Sequence, residues 1–430
     1  MIPEERPVVA DSLYTATANT PPDTPPLTGT QETDVAIVGG GFTGLSTALH
    51  LAERGVKATV LEAQSPGWGA SGRNGGQVNP GLKEDPETVL ARFGPQMGDR
   101  MLRLSSGAPD LVFDIIRRHG ISCDAVQPGW VQPAHDAASM KVITERVRQW
   151  NARGVPLRLL DRAQTQAMIG SEAYVGALFD PRGGNLHPLN YALGLAEAAQ
   201  RLGATVHGQS RVTGLSRDGA THVLRTASGV LRARRVVVAT NAYTDGLAPP
   251  LGRTLVPVRS VQVATQPLSD NLRRSILPAR QAVADTRRVM VYYRMDADGR
   301  LLMGGRGAFD DRGTERLLQV LRDVSTDLFP QLGTPDWGHA WGGFLALTTD
   351  HFTHLTPLGE GILSATAYNG RGVALATAMG GVLADWATDR PVSALDFPVT
   401  DMRPIPFHFL RKPAVQATIQ WYRLRDALGF

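Results

Sequence analysis

Residues 34–62 read DVAIVGGGFTGLSTALHLAERGVKATVLE, and their punctuation sets the fold. DVAIV is a short apolar strand, Gly39–Gly44 a glycine turn, and LSTALHLAER (45–54) has helical spacing that Gly55 stops. KATVLE (57–62) then returns as a second strand, which makes a βαβ unit. Gly39, Gly41 and Gly44 form a G-x-G-x-x-G element. The first glycine permits the tight turn, the second lets backbone approach a pyrophosphate, and the third lets helix pack on strand. Phe42 and Thr43 lie between them at the helix start, where free amides and the helix dipole face an anion. Glu62 ends the second strand near the spacing of about 20 residues at which an acid accepts from ribose hydroxyls, with Ala63 beside it. A carboxylate there excludes a ribose 2′-phosphate, because two anions would meet. The ligand expected from these residues is NAD or FAD.

The next segment separates the two. Residues 65–81, SPGWGASGRNGGQVNPG, are bare backbone where a nicotinamide dehydrogenase normally continues its nucleotide fold. A glycine-rich turn here suits a flavin nucleotide lying along Gly69, Ala70, Ser71, Arg73, Asn74, Gly75, Gly76 and Gln77. Further along, VVVATNAYT (236–244) ends another apolar strand, and YNGRGVALATAMGGVLADW (368–386) is a second glycine-rich strand-to-helix turn. Strands are also expected at 255–265, 289–294 and 300–305, and helices at 86–119, 137–153, 189–202 and 314–328.

Through GWGASGRNGGQ, GGNLHPLNYALGLAEAAQRLGATV (183–206), VPVRSVQVATQPL (256–268) and VYYRMDADGRLLMGG (291–305), the chain resembles the FAD-dependent amine and amino-acid oxidoreductases of the D-amino-acid oxidase superfamily. Within it, the gamma-glutamylputrescine oxidase-like branch is the most similar. The resemblance implies an α/β fold: a glutathione-reductase-like FAD-binding Rossmann domain with an interleaved mixed-β-sheet substrate domain. The expected division is an extended surface arm (1–33), an FAD-binding domain (34–85, 185–255 and 345–395), a substrate domain (86–184 and 256–344) and a C-terminal extension packed on the surface (396–430). It also implies cofactor contacts from Val212, Ala239 and Thr240, and from Asn369, Gly370, Arg371, Gly372 and Val373, where a helix N-terminus would meet charge on the flavin.

The implied reaction is oxidation of a primary or secondary amine to an imine that water hydrolyses to a carbonyl compound, with oxygen or another acceptor taking the electrons. An amino-acid oxidase or dehydrogenase on the same fold, or a flavin-binding protein without catalysis, is the alternative. Compared with the sarcosine-oxidase relatives, Gly342 stands where a cysteine carries the flavin covalently, so dissociable FAD is expected. Leu302 stands at a lysine that assists reaction with oxygen, and Asn79 and Ala374 replace a carboxylate clamp. Tyr293 and Arg306 match an active-site tyrosine and histidine, with Gln77 and Trp341 close by. If Tyr293 is instead a core residue of the second sheet, Tyr292 faces the pocket. Arg294 alternates with Tyr293 and reads as structural, and His187 reads as a satisfied turn residue.

The charge balance is nearly even, with 44 Lys and Arg against 40 Asp and Glu scattered along the chain, so no nucleic-acid partner is expected. One cysteine, Cys123, excludes an intrachain disulfide and suggests a reducing, cytoplasmic setting. No apolar run is long enough for a membrane span. His339, His351 and His354 make no metal-ligand spacing, so no metal is expected. The basic, aromatic end PIPFHFLRKPAVQATIQWYRLRDALGF reads as a helix packed across the surface.

Overall fold

The computed structural model describes residues 12–428 except 245, 288–289 and 309–310. Residues 1–11 of the expected arm, Val289 of the expected strand 289–294 and the last two residues of the C-terminal extension lie outside that set.

Strand Gly29–Val38 runs through the middle of an eight-stranded sheet, parallel to Ala58–Leu61 on one side and Gly229–Val238 on the other. Thr205–His207 extends the sheet beyond Ala58–Leu61, and Ile362–Thr366 followed by the antiparallel His354–Gly359 extends the other side. Strands buried on both faces need apolar residues at consecutive positions. Val35 and Ile37 join one core cluster while Ala36 and Val38 join another, which explains the unbroken VAIV. In register, Val38 lies beside Leu61 and Val238, so the chain leaves all three strands at one edge and sets Gly39, Glu62 and Ala239 side by side. Helices Phe42–Ala52 and Gly372–Ala387 pack together below that edge, where the Ser46 hydroxyl donates to the Thr377 carbonyl at 2.7 Å.

The central strand opens at Gly29 rather than Asp34, because Gly29–Thr33 pairs with Gly229–Ala233. Backbone pairing carries this polar stretch into the sheet without an apolar pattern to announce it. The arm does not simply lie on the surface. Leu13 and Tyr14 are 2% and 1% exposed, because Ser12 caps a single helical turn, Leu13–Ala16, that wedges its two large side chains against Leu302 and Trp341, and Leu27 is buried in the cluster of Ala36, Val38 and Leu231.

The second eight-stranded sheet runs in the order Trp337–Leu347, Val256–Thr265, Leu301–Arg306, Tyr292–Met295, Ala282–Ala284, Trp130–Ala134, Gly176–Asp180 and Arg158–Leu160. Its pairings are antiparallel except that between Ala282–Ala284 and Trp130–Ala134. Helix Asp311–Leu328 covers one face, setting Leu318, Leu321 and Leu328 into a cluster with Tyr293 and Met303. The chain therefore enters the second sheet twice, between visits to the first.

Candidate active site

An elongated cavity starts at the carboxyl edge of the first sheet and ends against the second. At its near end lie Gly39, Gly41, Phe42, Thr43, Glu62, Ala63 and Val212, with Ala239 and Thr240 across from them. The glycines are required by contact: a Cβ on Gly44 would run into the Gly39 carbonyl, and one on Gly41 would lie 2.9 Å from the Ser71 hydroxyl. Gly44 itself stays beneath the turn and off the cavity wall. Glu62 is held by backbone, its two oxygens accepting from Gly40 N at 2.6 Å and Gln64 N at 2.9 Å. Burial pushes its carboxyl above the usual range, and those amide hydrogen bonds pull the other way.

The middle of the cavity is floored by Gly69, Ala70, Ser71, Arg73, Asn74, Gly75 and Gln77. Asn74 folds this turn on itself, its amide donating to the Ala70 and Ser71 carbonyls and its Oδ1 accepting from Gly76 N at 2.8 Å. Ser71 Oγ accepts from Phe42 N at 2.9 Å, joining the turn to the start of the glycine helix. The second sheet grips the other side. Gln262 Nε2 and Trp341 Nε1 both donate to the Arg73 carbonyl, at 2.6 and 3.1 Å, and Arg294 Nε donates to the Gly75 carbonyl at 2.7 Å. Gln77 lines the cavity, but its amide hydrogens go to the Val283 and Tyr293 carbonyls. Gly76 sits off the wall at φ 68°, packed against Leu186 and the Arg294 guanidinium.

At the far end, Asn369, Gly370, Gly372 and Val373 reach the cavity. No side chain caps helix Gly372–Ala387, so its first amides are left open toward a ligand. Asn369 braces the approach by accepting from Thr348 N at 3.1 Å, and Thr43 and Tyr368 join their hydroxyls at 2.5 Å across the cavity base. Arg371 points elsewhere: it donates to the Pro80 carbonyl and lies 5.4 Å from the Trp130 ring, and burial lowers its guanidinium to about 10.

Three of the four expected substrate contacts are not on this wall. Tyr293 faces the second core, where its hydroxyl donates to that of Tyr174 at 3.0 Å and its ring meets Phe329 edge-on at 5.4 Å. Its neighbour Tyr292 takes the cavity side. Arg306 lies half-buried at a strand end opposite Ser260 and off the lining. Trp341 is buried behind the turn and acts through the Arg73 carbonyl. Leu302 likewise sits with Leu13, Tyr14, Ala264 and Trp341 rather than on the wall, because its strand turns that face inward.

The residues found only in the structure come from distant strands. Tyr292, Ser260, Ala284, Met290 and Phe344 close the end against the second sheet, and Trp68 and Tyr243 flank the turn. The Tyr292 hydroxyl lies 2.7 Å from Ser260 Oγ, which donates to the Gly305 carbonyl at 3.1 Å. Arg73 stacks 4.5 Å over Trp68 and donates to its carbonyl. Paired tyrosines opposite paired glycines (YY at 292–293, GG at 304–305) were the available signal, since Tyr292 registers with Gly304. Asn79 also lines the cavity, and its Oδ1 has no hydrogen-bond partner among the described residues.

Other candidates have structural partners. His187 caps helix Pro188–Arg201, accepting from Asn190 N, while its other nitrogen meets the Thr17 hydroxyl at 3.0 Å; burial and Arg294 lower its pKa to about 4. Burial pushes the Cys123 thiol up to about 12. His351 and His354 sit with Glu84 and Asp350, at 3.0 and 3.1 Å, and among the described residues no group of three metal-ligating side chains assembles.

A buried acceptor at a strand end, a cradle of bare amides and two uncapped or glycine-capped helix starts fit an extended dinucleotide. A family model described as FAD dependent oxidoreductase matches residues 34–386. The chain is 35% identical over 426 residues to gamma-glutamylputrescine oxidoreductase of Escherichia coli, covering 97% of this chain and 98% of that one. It is 34% identical to a probable oxidoreductase OrdL of Haemophilus influenzae, covering 84% of each. The solved glycine oxidase of Geobacillus kaustophilus superposes with a TM-score of 0.71 at 24% identity, over 86% of this chain and 98% of that one, which shows a common fold. Two mixed α/β layers joined at a glycine-lined cavity, together with these matches, establish that the chain belongs to the DAO family of FAD-dependent oxidoreductases.

Proposed function

We propose that the protein oxidises the carbon–nitrogen bond of an amine whose carboxylate, if it has one, lies far from the reacting nitrogen. The observation that carries this reading is the neutral substrate end of the cavity. Among the described residues, Gln77, Asn79, Ser260, Ala284, Met290, Tyr292 and Phe344 present no charge at this end, and the cavity-lining Arg73 beside them is engaged with Trp68. A small amino acid buried there would leave its carboxylate without a cationic partner, at a cost of several kcal/mol (about 3–5 for breaking a buried pair). The 35% identity to gamma-glutamylputrescine oxidoreductase, a protein named for an amine carrying a distant acyl group, supports the same class.

FAD, when bound, supplies the two-electron acceptor chemistry. The residues proposed to hold it are those that line the near end, the floor and the uncapped helix: Glu62 for ribose, the turns at Gly39–Gly44 and Gly69–Gln77, and Gly370–Val373. The chain's own groups then orient the amine nitrogen, with Tyr292 and Phe344 forming an apolar wall that keeps water from the reacting carbon. The tyrosine hydroxyls in and around this wall are no use as bases, because burial holds those of Tyr292 and Tyr368 well above their ordinary value. The amine is proposed to arrive neutral. Amine oxidation removes a hydride from the carbon, whose two electrons bound FAD would accept, and a proton from the nitrogen; water then hydrolyses the imine to a carbonyl compound and an amine or ammonia.

Anaerobic addition of γ-glutamyl or N-alkyl amines is expected to bleach the flavin band, while glycine and D-alanine do not. Bleaching by amino acids alone would overturn the proposal in favour of an amino-acid oxidase. Repeating the reaction in air distinguishes oxygen from another acceptor. No cysteine or histidine lines the cavity among the described residues, so the cofactor is proposed to be dissociable. Denaturation should release all of the flavin into the supernatant, and yellow colour retained on the precipitated chain would contradict that.

A further inference from the structure

Behind the floor of the cavity lies a cation without a counter-ion. Arg294 is 3% exposed, and among the described residues no carboxylate comes within ion-pair distance of it. Its hydrogen-bond acceptors are neutral: Gly75 O at 2.7 Å and the Tyr14 hydroxyl at 3.2 Å. The nearest acid along its strand, Asp296, is paired with Arg300. Tyr14 completes the enclosure, its ring edge-on to His187 and Trp341 at 5.0 Å each and its helical turn sealing the chamber from water.

A buried guanidinium without a carboxylate is costly to keep unless something else uses its field. Gly75, whose carbonyl it holds, has its other side on the cavity wall. One peptide unit therefore separates this positive charge from whatever lies on the floor, in a place that bulk solvent scarcely reaches. Burial first and this charge second lower the pKa of both His187 and Arg280.

We propose that Arg294, enclosed by Tyr14 of the N-terminal segment, is an electrostatic positioning residue that favours negative charge arriving on the group bound along Arg73–Gly76. It thereby raises the tendency of bound FAD to accept electrons from substrate. The inference rests on the flavin reading of the cavity and adds a role that neither Tyr14 nor Arg294 carries through direct contact with substrate.

The test separates charge from hydrogen bonding. Arg294→Gln keeps an amide that can donate to the Gly75 carbonyl but removes the charge, whereas Arg294→Lys keeps the charge and loses the fork. A third variant, Leu302→Glu, places a carboxylate directly across the strand pair from Arg294 and neutralises it without removing it. The reduction potential of bound FAD is measured by equilibration with a reference dye, beside FAD affinity and melting temperature.

Arg294→Gln and Leu302→Glu are expected to shift the oxidised-to-reduced equilibrium at least tenfold toward the oxidised form, about 30 mV for a two-electron couple. Arg294→Lys is expected to stay within threefold of the parent. Equal shifts in the Gln and Lys variants, or no shift in Gln with FAD fully bound, would overturn the proposal and leave Arg294 a brace for the turn. Should Gln not fold, Leu302→Glu against Arg294→Lys makes the same comparison. A parent protein that fails to take up FAD would instead overturn the flavin assignment of the cavity, which is a different outcome.

Discussion

Glu62→Gln is expected to weaken FAD binding by about 10- to 100-fold, with little change in the fold. The carboxylate already accepts from Gly40 N at 2.6 Å and Gln64 N at 2.9 Å, so both oxygens are committed to backbone on one side while facing the cavity on the other. A glutamine must turn an NH2 toward one of those donors or rotate away from the ribose position, and either move gives up a charge-assisted hydrogen bond of about 1.5–3 kcal/mol. Titrating FAD into apoprotein and following the quenching of its fluorescence measures the loss, and a Kd within threefold of the parent would contradict the assignment. The pH dependence has a definite sign. Burial raises the Glu62 pKa above its ordinary 4.5, and the ionised form is the better acceptor, so the parent should begin to lose FAD at a higher pH on acidification than an ordinary carboxylate would dictate. The Gln variant should lack that step.

A larger effect on turnover is expected from Gly304→Ala. The Tyr292 ring lies across Gly304, and a methyl there would occupy the space of the ring's own edge; the same edge is 2.7 Å from where a Cβ on Gly75 would sit. Gly304 and Tyr292 are register partners, so neither strand can slide to make room without breaking the pairing. The ring has to swing into the substrate end of the cavity, taking its hydroxyl from Ser260. A displacement on the order of 1 Å at a reacting centre costs roughly 100-fold, and kcat/KM for the best amine should fall by at least that much. FAD affinity should change little, because the near end of the cavity is untouched. Adding Tyr292→Ala gives the methyl room and should recover part of KM. Unchanged kcat/KM in Gly304→Ala would show that Tyr292 does not bound the substrate.

How much of this could be read beforehand depends on the kind of residue. The glycines at 39, 41 and 44, Glu62 and the Gly69–Gln77 turn could be grouped beforehand because the features that single them out are local: a turn needs missing side chains, and spacing along the chain places an acid at a strand end. Tyr293, Arg306 and Trp341 were expected on the cavity and lie elsewhere. In a strand, adjacent side chains take opposite faces, so an argument that reaches the right strand still leaves the parity open. Tyr292 against Tyr293 is that ambiguity, settled by the helix Asp311–Leu328 covering the face that Tyr293 occupies. The N-terminal arm was illegible for another reason. One turn of helix is too short to show a period, and Leu13 and Tyr14 are buried by residues far along the chain, among them His187, Ala264, Leu302 and Trp341.

The order of residues by itself determined the dinucleotide-binding βαβ unit, the family resemblance and the flavin, because each depends on backbone conformations and charges set within a few tens of residues. Only the tertiary structure decided which tyrosine meets the cavity, that its wall near the second sheet is uncharged among the described residues and that Arg294 sits behind its floor. Those properties arise where strands distant in the chain face each other, and a single chain position carries no record of the partner that folding will bring to it.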